Sequence, residues 1–431
     1  MFSRSQRIVI GIVGSIIFFF GLVFTGVIPG LRVGPEDQLK AELSVWGVEE
    51  SSIVDPLIKG FNAVYPGVKV SYKKVDSALY ESSLVDALAA GNGPDVFVID
   101  NTWVPKHYNK LYPVPEAMLT LQSFRELFPR IAEQDFAADG VIFSLPLYID
   151  TLALFYNKDI FDNEGIVAPP RDWQEVINLI PRLRALTSLG RIERAAIALG
   201  GSKRSIDNML DIISTLMLQS GTEMVSDDFT QATFANAIGK EAFNFYLKFS
   251  DPKNAAYTWN DSVGSALNAF ADQRTAMLVH YEGALKYVKT RNPFLRIGVA
   301  SFPQPRGVIQ SVAGARYLGL SVSHQTQYTE AALRFVLHLA TEASALKEYM
   351  RLGNHSPALR TLIAEYGNNG EAGVFAKQAL IARSWPQVDS EKTADIFSQA
   401  VSAVLGGRLP GNSALEEAEA RVTSLMNQRA Q

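Results

Sequence analysis

Two clusters of acids and rings stand out by where they fall. Trp46-Gly47-Val48-Glu49-Glu50 closes and follows the apolar stretch that starts at Leu43, and Asp100-Asn101-Thr102-Trp103 directly follows Val96-Phe97-Val98-Ile99. Carboxylates accept charge-assisted hydrogen bonds from hydroxyl or ammonium donors, and ring faces cover C–H groups or a cation. Acid beside ring therefore suits a small ligand with a polar edge and an apolar face, or a small cation. Groups for covalent or metal chemistry are scarce. There is no cysteine, and His107, His280, His324, His338 and His355 are scattered without an HExxH pair. GxxxxGK[ST], GxGxxG and GxSxG are all missing, and Gly319-Leu320-Ser321-Val322-Ser323 lacks the last glycine of the third. No metal and no cofactor are expected. A carboxylate pair working on a polysaccharide stays open, because the separation of two carboxyls is a property of the fold.

The elements that must position these groups alternate. Leu43–Trp46 reads as a strand, and Val54, Leu57, Ile58 and Phe61 line one face of a helix. Pro66-Gly67 turns the chain into the alternating Val68–Tyr72. A second helix over Tyr80–Ala90 stops at Gly91-Asn92-Gly93-Pro94, before the buried strand at Val96. Strands alternating with helices predict an α/β sheet covered on both faces, and both clusters then lie at strand carboxyl ends, facing one crevice. Further on, Val141–Phe143 and Leu152–Tyr156 are apolar runs, while 173–186, 206–219 and Tyr328–Leu339 are helical. Ser413-x-x-Glu416 reads as a capping box.

Composition narrows the classes. With 40 Lys+Arg against 44 Asp+Glu and a net charge of -4 in 431 residues, no basic domain for nucleic acid is expected. The mean hydropathy of +0.05 is high for a chain with 19% charged residues. Much of it sits in the 24 uncharged residues from Ile8 to Leu31. That run is long enough to span a hydrocarbon core, and Arg4 and Arg7 before it favour a cytoplasmic N-terminus. A cleaved signal peptide is the rival, but the run is long for one and its small-x-small sites are poor.

Five stretches in order carry a family resemblance: Phe61-Asn62-Ala63-Val64-Tyr65-Pro66-Gly67-Val68-Lys69-Val70, Leu88-Ala89-Ala90-Gly91-Asn92-Gly93-Pro94-Asp95-Val96, Leu145 to Asp159, Ala269 to Met277, and Ile297 to Pro303. The sequence resembles the family 1 extracellular solute-binding proteins of ABC importers. The resemblance implies a two-lobed α/β fold of the periplasmic-binding-protein type, with discontinuous lobes closing on a ligand. Transferred crossings fall near 148–152, 298–302 and 340–343. They divide the chain into a cytoplasmic end (1–7), a transmembrane anchor (8–28), a tether (29–40), lobe one (41–149 and 301–341) and lobe two (150–300 and 342–431).

The resemblance adds Asp150, at the position of a sugar-contacting acid, with Tyr281 and Trp385 near ring positions of the family. Arg316 and Tyr317 follow the second crossing. With Trp46, Glu49, Glu50, Asp100, Asn101 and Trp103 they form the expected site. Each also has a purely structural reading: a tryptophan packed at a sheet edge, glutamates serving a helix N-terminus, aspartates capping backbone at the crossings. Trp173 reads as packing at a helix start. The expected function is capture of a sugar or oligosaccharide for an ABC permease, by a receptor anchored through its N-terminal helix, with no chemistry on the ligand. A cationic solute such as a polyamine, the anchored carboxylate-pair enzyme and a sensory subunit remain as alternatives.

Overall fold

The computed structural model describes residues 39–428. The expected anchor, and the tether up to residue 38, lie outside them; among the described residues no helix is long and apolar enough to cross a membrane.

The chain opens with β1 (Ala41–Gly47), α1 (Ser51–Val64), β2 (Val68–Lys74), α2 (Tyr80–Ala89) and β3 (Val96–Asp100). Alternation makes β1: Ala41, Leu43 and Val45 point into the core while Glu42, Ser44 and Trp46 lie on the more exposed face. β3 is buried on both faces, as its unbroken apolar run requires. Short strands β4 (Leu111–Tyr112) and β5 (Leu145–Pro146) follow, and then β6 (Asp150–Thr151). The second half-sheet is built from β7 (Ala153–Asn157), β8 (Ala185–Leu186), β9 (Ile192–Ile197), β10 (Thr275–His280) and β11 (Ile297–Ser301), with α3 (Met209–Gln219) between β9 and β10. The chain returns through β12 (Ala313–Arg316) to β13 (Leu318–Ser323), α4 (Thr329–Thr341), α5 (Ala343–Gly353) and α6 (Arg360–Tyr366). It finishes with α7 (Gly370–Ala379), β14 (Ala382–Arg383), α8 (Ser390–Leu405) and α9 (Gly411–Asn427).

One sheet has the order β2-β1-β3-β13-β4, with β5 also on β13; the other runs β8-β9-β10-β7-β11. β1 is parallel to both β2 and β3, and β13 is antiparallel to β3. A third, three-stranded sheet, β14-β12-β6, joins segments at the three crossings, with Arg316 opposite Asp150. Gly314 lets β12 lie against α3, since a Cβ there would stand 2.0 Å from Thr215 Oγ1.

Two separate cores show the two lobes. Ile149 lies in the first and Leu152 in the second; Phe302 lies in the second and Tyr317 in the first; Ile363 lies in the first and Trp385 in the second. Two expected crossings therefore shift. Residues 297–301 form an edge strand of lobe two, so the second crossing falls at 302–317. Leu346, Tyr349, Leu362 and Ile363 belong to the first core because α5 packs its apolar face on α1, so the third crossing follows α6 instead of α4. The capping box is also displaced: α9 starts at Gly411 after Pro410, leaving Ser413 inside the first turn.

Candidate ligand cleft

The carboxyl end of β3, strands β6 and β12, and the loop after β10 converge between the two cores. A cavity of about 350 Å³ there is lined by Asp100, Trp103, Tyr148, Asp150, Tyr281 and Arg316, among others. A narrower space of about 80 Å³ shares Asp100, Tyr281 and Arg316 with it and continues along α3 to Trp385. An ion pair stands where the two spaces meet: Arg316 Nε donates to Asp100 Oδ2 at 3.1 Å. Asp100 is held from behind, its Oδ1 accepting from the Thr102 N–H at 3.0 Å and the Thr102 hydroxyl at 2.8 Å. The Asp100 carboxylate in turn pushes the Arg316 guanidinium upward, so this arginine stays charged.

Asp207, bordering the narrow space, is held below the usual carboxylate value by His280, whereas three other acids sit where ionisation is costly. Asp150 Oδ1 accepts from the Glu282 N–H at 3.0 Å, and burial pushes Asp150 up to about 6. Glu282 accepts from the Ser356 hydroxyl at 2.5 Å; burial, with the Asp150 charge added, pushes it to about 8. Burial also raises Asp211, on α3. The Tyr281 hydroxyl is buried beside the Asp211 carboxylate, with the Arg316 charge also acting on it. With Asp100 paired to Arg316 and Asp150 accepting from the Glu282 N–H, the cleft offers hydrogen-bond donors and acceptors that are already fixed in place. Trp103, Tyr148 and Tyr281 supply apolar ring surface around them, with Trp103 backed by the Tyr80 ring at 6.3 Å.

Asp100, Trp103, Asp150, Tyr281 and Arg316 are thus brought together. Tyr317 borders the cavity, but its ring is in the first core and its hydroxyl donates to Asp135 Oδ2 at 2.8 Å. Asn101 is tied to the same network, donating to Asp135 at 2.8 Å and accepting from the Tyr317 N–H at 3.2 Å. Burial pushes Asp135 to about 7. Trp385 borders the narrow space with its ring against Phe234 and its Nε1 donating to Ser214 at 2.9 Å.

Three expected residues do not line either space. Trp46, on the outer face of β1, lies under the Lys73 ammonium, 3.9 Å from the ring centroid. Glu49 is hydrogen-bonded by His355 at 3.0 Å. Burial opposes its ionisation, but the bonds from His355 and Tyr349 outweigh that and hold it below the usual carboxylate value. Glu50 is the N-cap residue of α1 without a side-chain cap bond, and its carboxylate pairs with Lys74. Trp173 is buried behind the Asp172 N-cap of its helix, as read from sequence.

The expected site lacks Tyr148 and Asp211, which line the two spaces, and Glu282, which lines neither but holds Asp150 through its N–H. Tyr281-Glu282 leaves β10 just as Asp100 leaves β3, so the same strand-end rule covers Glu282. Asp207, Asp211, Ser214, Thr215 and Leu218 recur at helical spacing as one face toward the narrow space, a stripe visible in the sequence.

A polar, ring-walled cleft between two α/β lobes that exchange the chain three times defines a two-lobed binding protein of the periplasmic type. The chain belongs to the bacterial extracellular solute-binding proteins, whose family profile matches residues 46–345. It is 23% identical over 333 residues to the multiple sugar-binding protein of Streptococcus mutans, covering 73% of this chain and 74% of that protein. The sugar-binding protein MalE of Xanthomonas citri superposes with a TM-score of 0.77 at 20% identity, covering 90% of this chain and 98% of that one. The cyclic alpha-maltosyl-1,6-maltose binding protein of Arthrobacter globiformis gives 0.76 at 17% identity, covering 90% and 100%. The family is one of solute-binding proteins of ABC transporters, so the chain is a binding protein and the carboxylate-pair enzyme is set aside.

Proposed function

We propose that the protein captures a sugar or oligosaccharide between its lobes outside the cytoplasmic membrane, stays tethered to that membrane, and delivers its ligand to an ABC permease. The observation that carries this reading is the set of paired polar groups among ring faces in the cleft. Asp100 is paired with Arg316 at 3.1 Å, and Asp150 beside them is oriented by the Glu282 N–H at 3.0 Å. Such groups exchange hydrogen bonds with hydroxyls, and the rings beside them cover the C–H face of a pyranose. A polyamine would instead favour free carboxylates. The relatives named above are described as sugar-binding, which supports the same ligand class.

Asp100, Asp150 and Arg316 supply the polar contacts in this reading, and Trp103 and Tyr281 the ring faces. The uncharged run from Ile8 to Leu31 supports the tether, with the binding body on the extracytoplasmic side. A permease that binds the closed form more tightly than the open one then selects the loaded receptor, since a partner shifts an equilibrium only by its differential affinity.

Titration calorimetry with a panel of mono- and oligosaccharides and with spermidine tests the ligand class. Saturable sugar binding with a negative heat-capacity change is expected. Binding of spermidine alone overturns the reading.

A further inference from the structure

Glu282 ties lobe two to two places at once. From the loop after β10 its carboxylate accepts from Ser356 Oγ at 2.5 Å, across the lobe boundary, in the segment between α5 and α6. Its own N–H donates to Asp150 Oδ1 at 3.0 Å, at the first crossing. The landing point is built from lobe one. Asn354 takes a left-handed φ of 53°, and Pro357 pairs with Tyr148. His355 is held between the rings of Tyr148 and Tyr349, at 4.2 and 4.8 Å, with its Nε2 on Glu49 at 3.0 Å.

The charges around this contact do not neutralise it. Asp150, of like sign, faces Glu282 from β6. On the lobe-one side His355 is engaged with Glu49; from lobe two, His280 acts on Asp150 and Lys286 acts on Glu49. No cation pairs with the Glu282 carboxylate among the described residues.

We infer that Glu282 is an interlobe latch that takes up a proton as the lobes close, so that closure of the cleft is linked to pH. The inference rests on the proposed receptor reading, in which the lobes open and close on a ligand. As an anion, Glu282 loses hydration and meets Asp150 when it docks on Ser356; as an acid it docks without that cost.

The direction follows from the two states. Docked, the carboxyl is pushed to about 8 by burial and then by the Asp150 charge. Released into water, it returns toward the ordinary 4.5. Between those values the closed form needs a proton that the open form lacks, so the closed-to-open ratio falls by up to about tenfold per pH unit as pH rises. Above about 8 both forms are ionised and the ratio levels off. Asp150, pushed to about 6, acts in the same sense only at lower pH.

The experiment needs no sugar. The chain has no cysteine, so Lys59→Cys on α1 and Lys253→Cys in lobe two give a single pair of dye sites in the full-length protein. Energy transfer between them is followed from pH 6 to 8. The closed-to-open ratio is expected to fall by about 50-fold across those two units. Glu282→Gln, whose amide oxygen still accepts from Ser356, is expected to stay closed and flat over the same range. Ser356→Ala is expected to shift the opening to lower pH. A pH-independent distance in the parent, or an unchanged pH profile in Glu282→Gln, overturns the inference. Failure to bind any sugar, by contrast, touches only the ligand reading.

Discussion

The loops after β1 and β3 leave neighbouring parallel strands of one sheet with nearly the same equipment, a tryptophan and acids, yet they do different work. The loop after β3 sends Asp100 and Trp103 into the cleft. At the end of β1 and in the loop after it, Val48 borders the cavity, but the ring and the acids turn back onto lobe one: Trp46 under Lys73, Glu49 on His355, Glu50 on Lys74. Strand-end position selects loops, and the pleat then selects side chains within them. Trp46 is still part of its strand and inherits the outer face, whereas Trp103 lies three residues beyond Asp100 and is free of the pleat.

Substitutions can break this contrast or sharpen it. Asp100→Ala is expected to have the largest effect, because it removes a proposed ligand acceptor and leaves Arg316 without its partner. Losing charged hydrogen bonds of this kind costs about 1.5–3 kcal/mol, a loss of sugar affinity of about 10- to 150-fold by calorimetry. Trp103→Ala comes next, with about tenfold weaker binding from lost ring surface and little change in charge-dependent behaviour. Trp46→Ala is expected to lower stability by about 1–2 kcal/mol in denaturant titration while sugar affinity stays within about twofold. A tenfold affinity loss at Trp46 would erase the distinction between the loops. Glu50→Ala is expected to be the mildest, within about 0.5 kcal/mol, as for other exposed ion pairs.

The lobes themselves were legible because order and patterning carry them: a strand-helix-strand start, apolar runs, and five motifs in family sequence. The crossings were less so. Nothing local marks α5 as belonging to lobe one; Leu346 and Tyr349 make an ordinary apolar face, and only packing against α1 decides its lobe. The same holds for Arg316 and Tyr317, neighbours that part company, one pairing with Asp100 in the cleft and the other reaching Asp135 in the core. Alternation says that such neighbours diverge without saying which side holds the ligand. Glu282 was hidden for another reason. Its role depends on Ser356, 74 positions away, and on Asp150 at a crossing, and no spacing rule reaches that far.

The small sheet of β6, β12 and β14 also bears on how this molecule can be cut and recombined. Each lobe is threaded from separated stretches of chain, and strands from all three crossings are hydrogen-bonded side by side. A protease that nicks one crossing leaves the lobes joined by the other two covalent links. Equally, no single contiguous gene segment encodes a lobe, so neither half can be exchanged as a cassette, and new specificity has to arise residue by residue within the cleft.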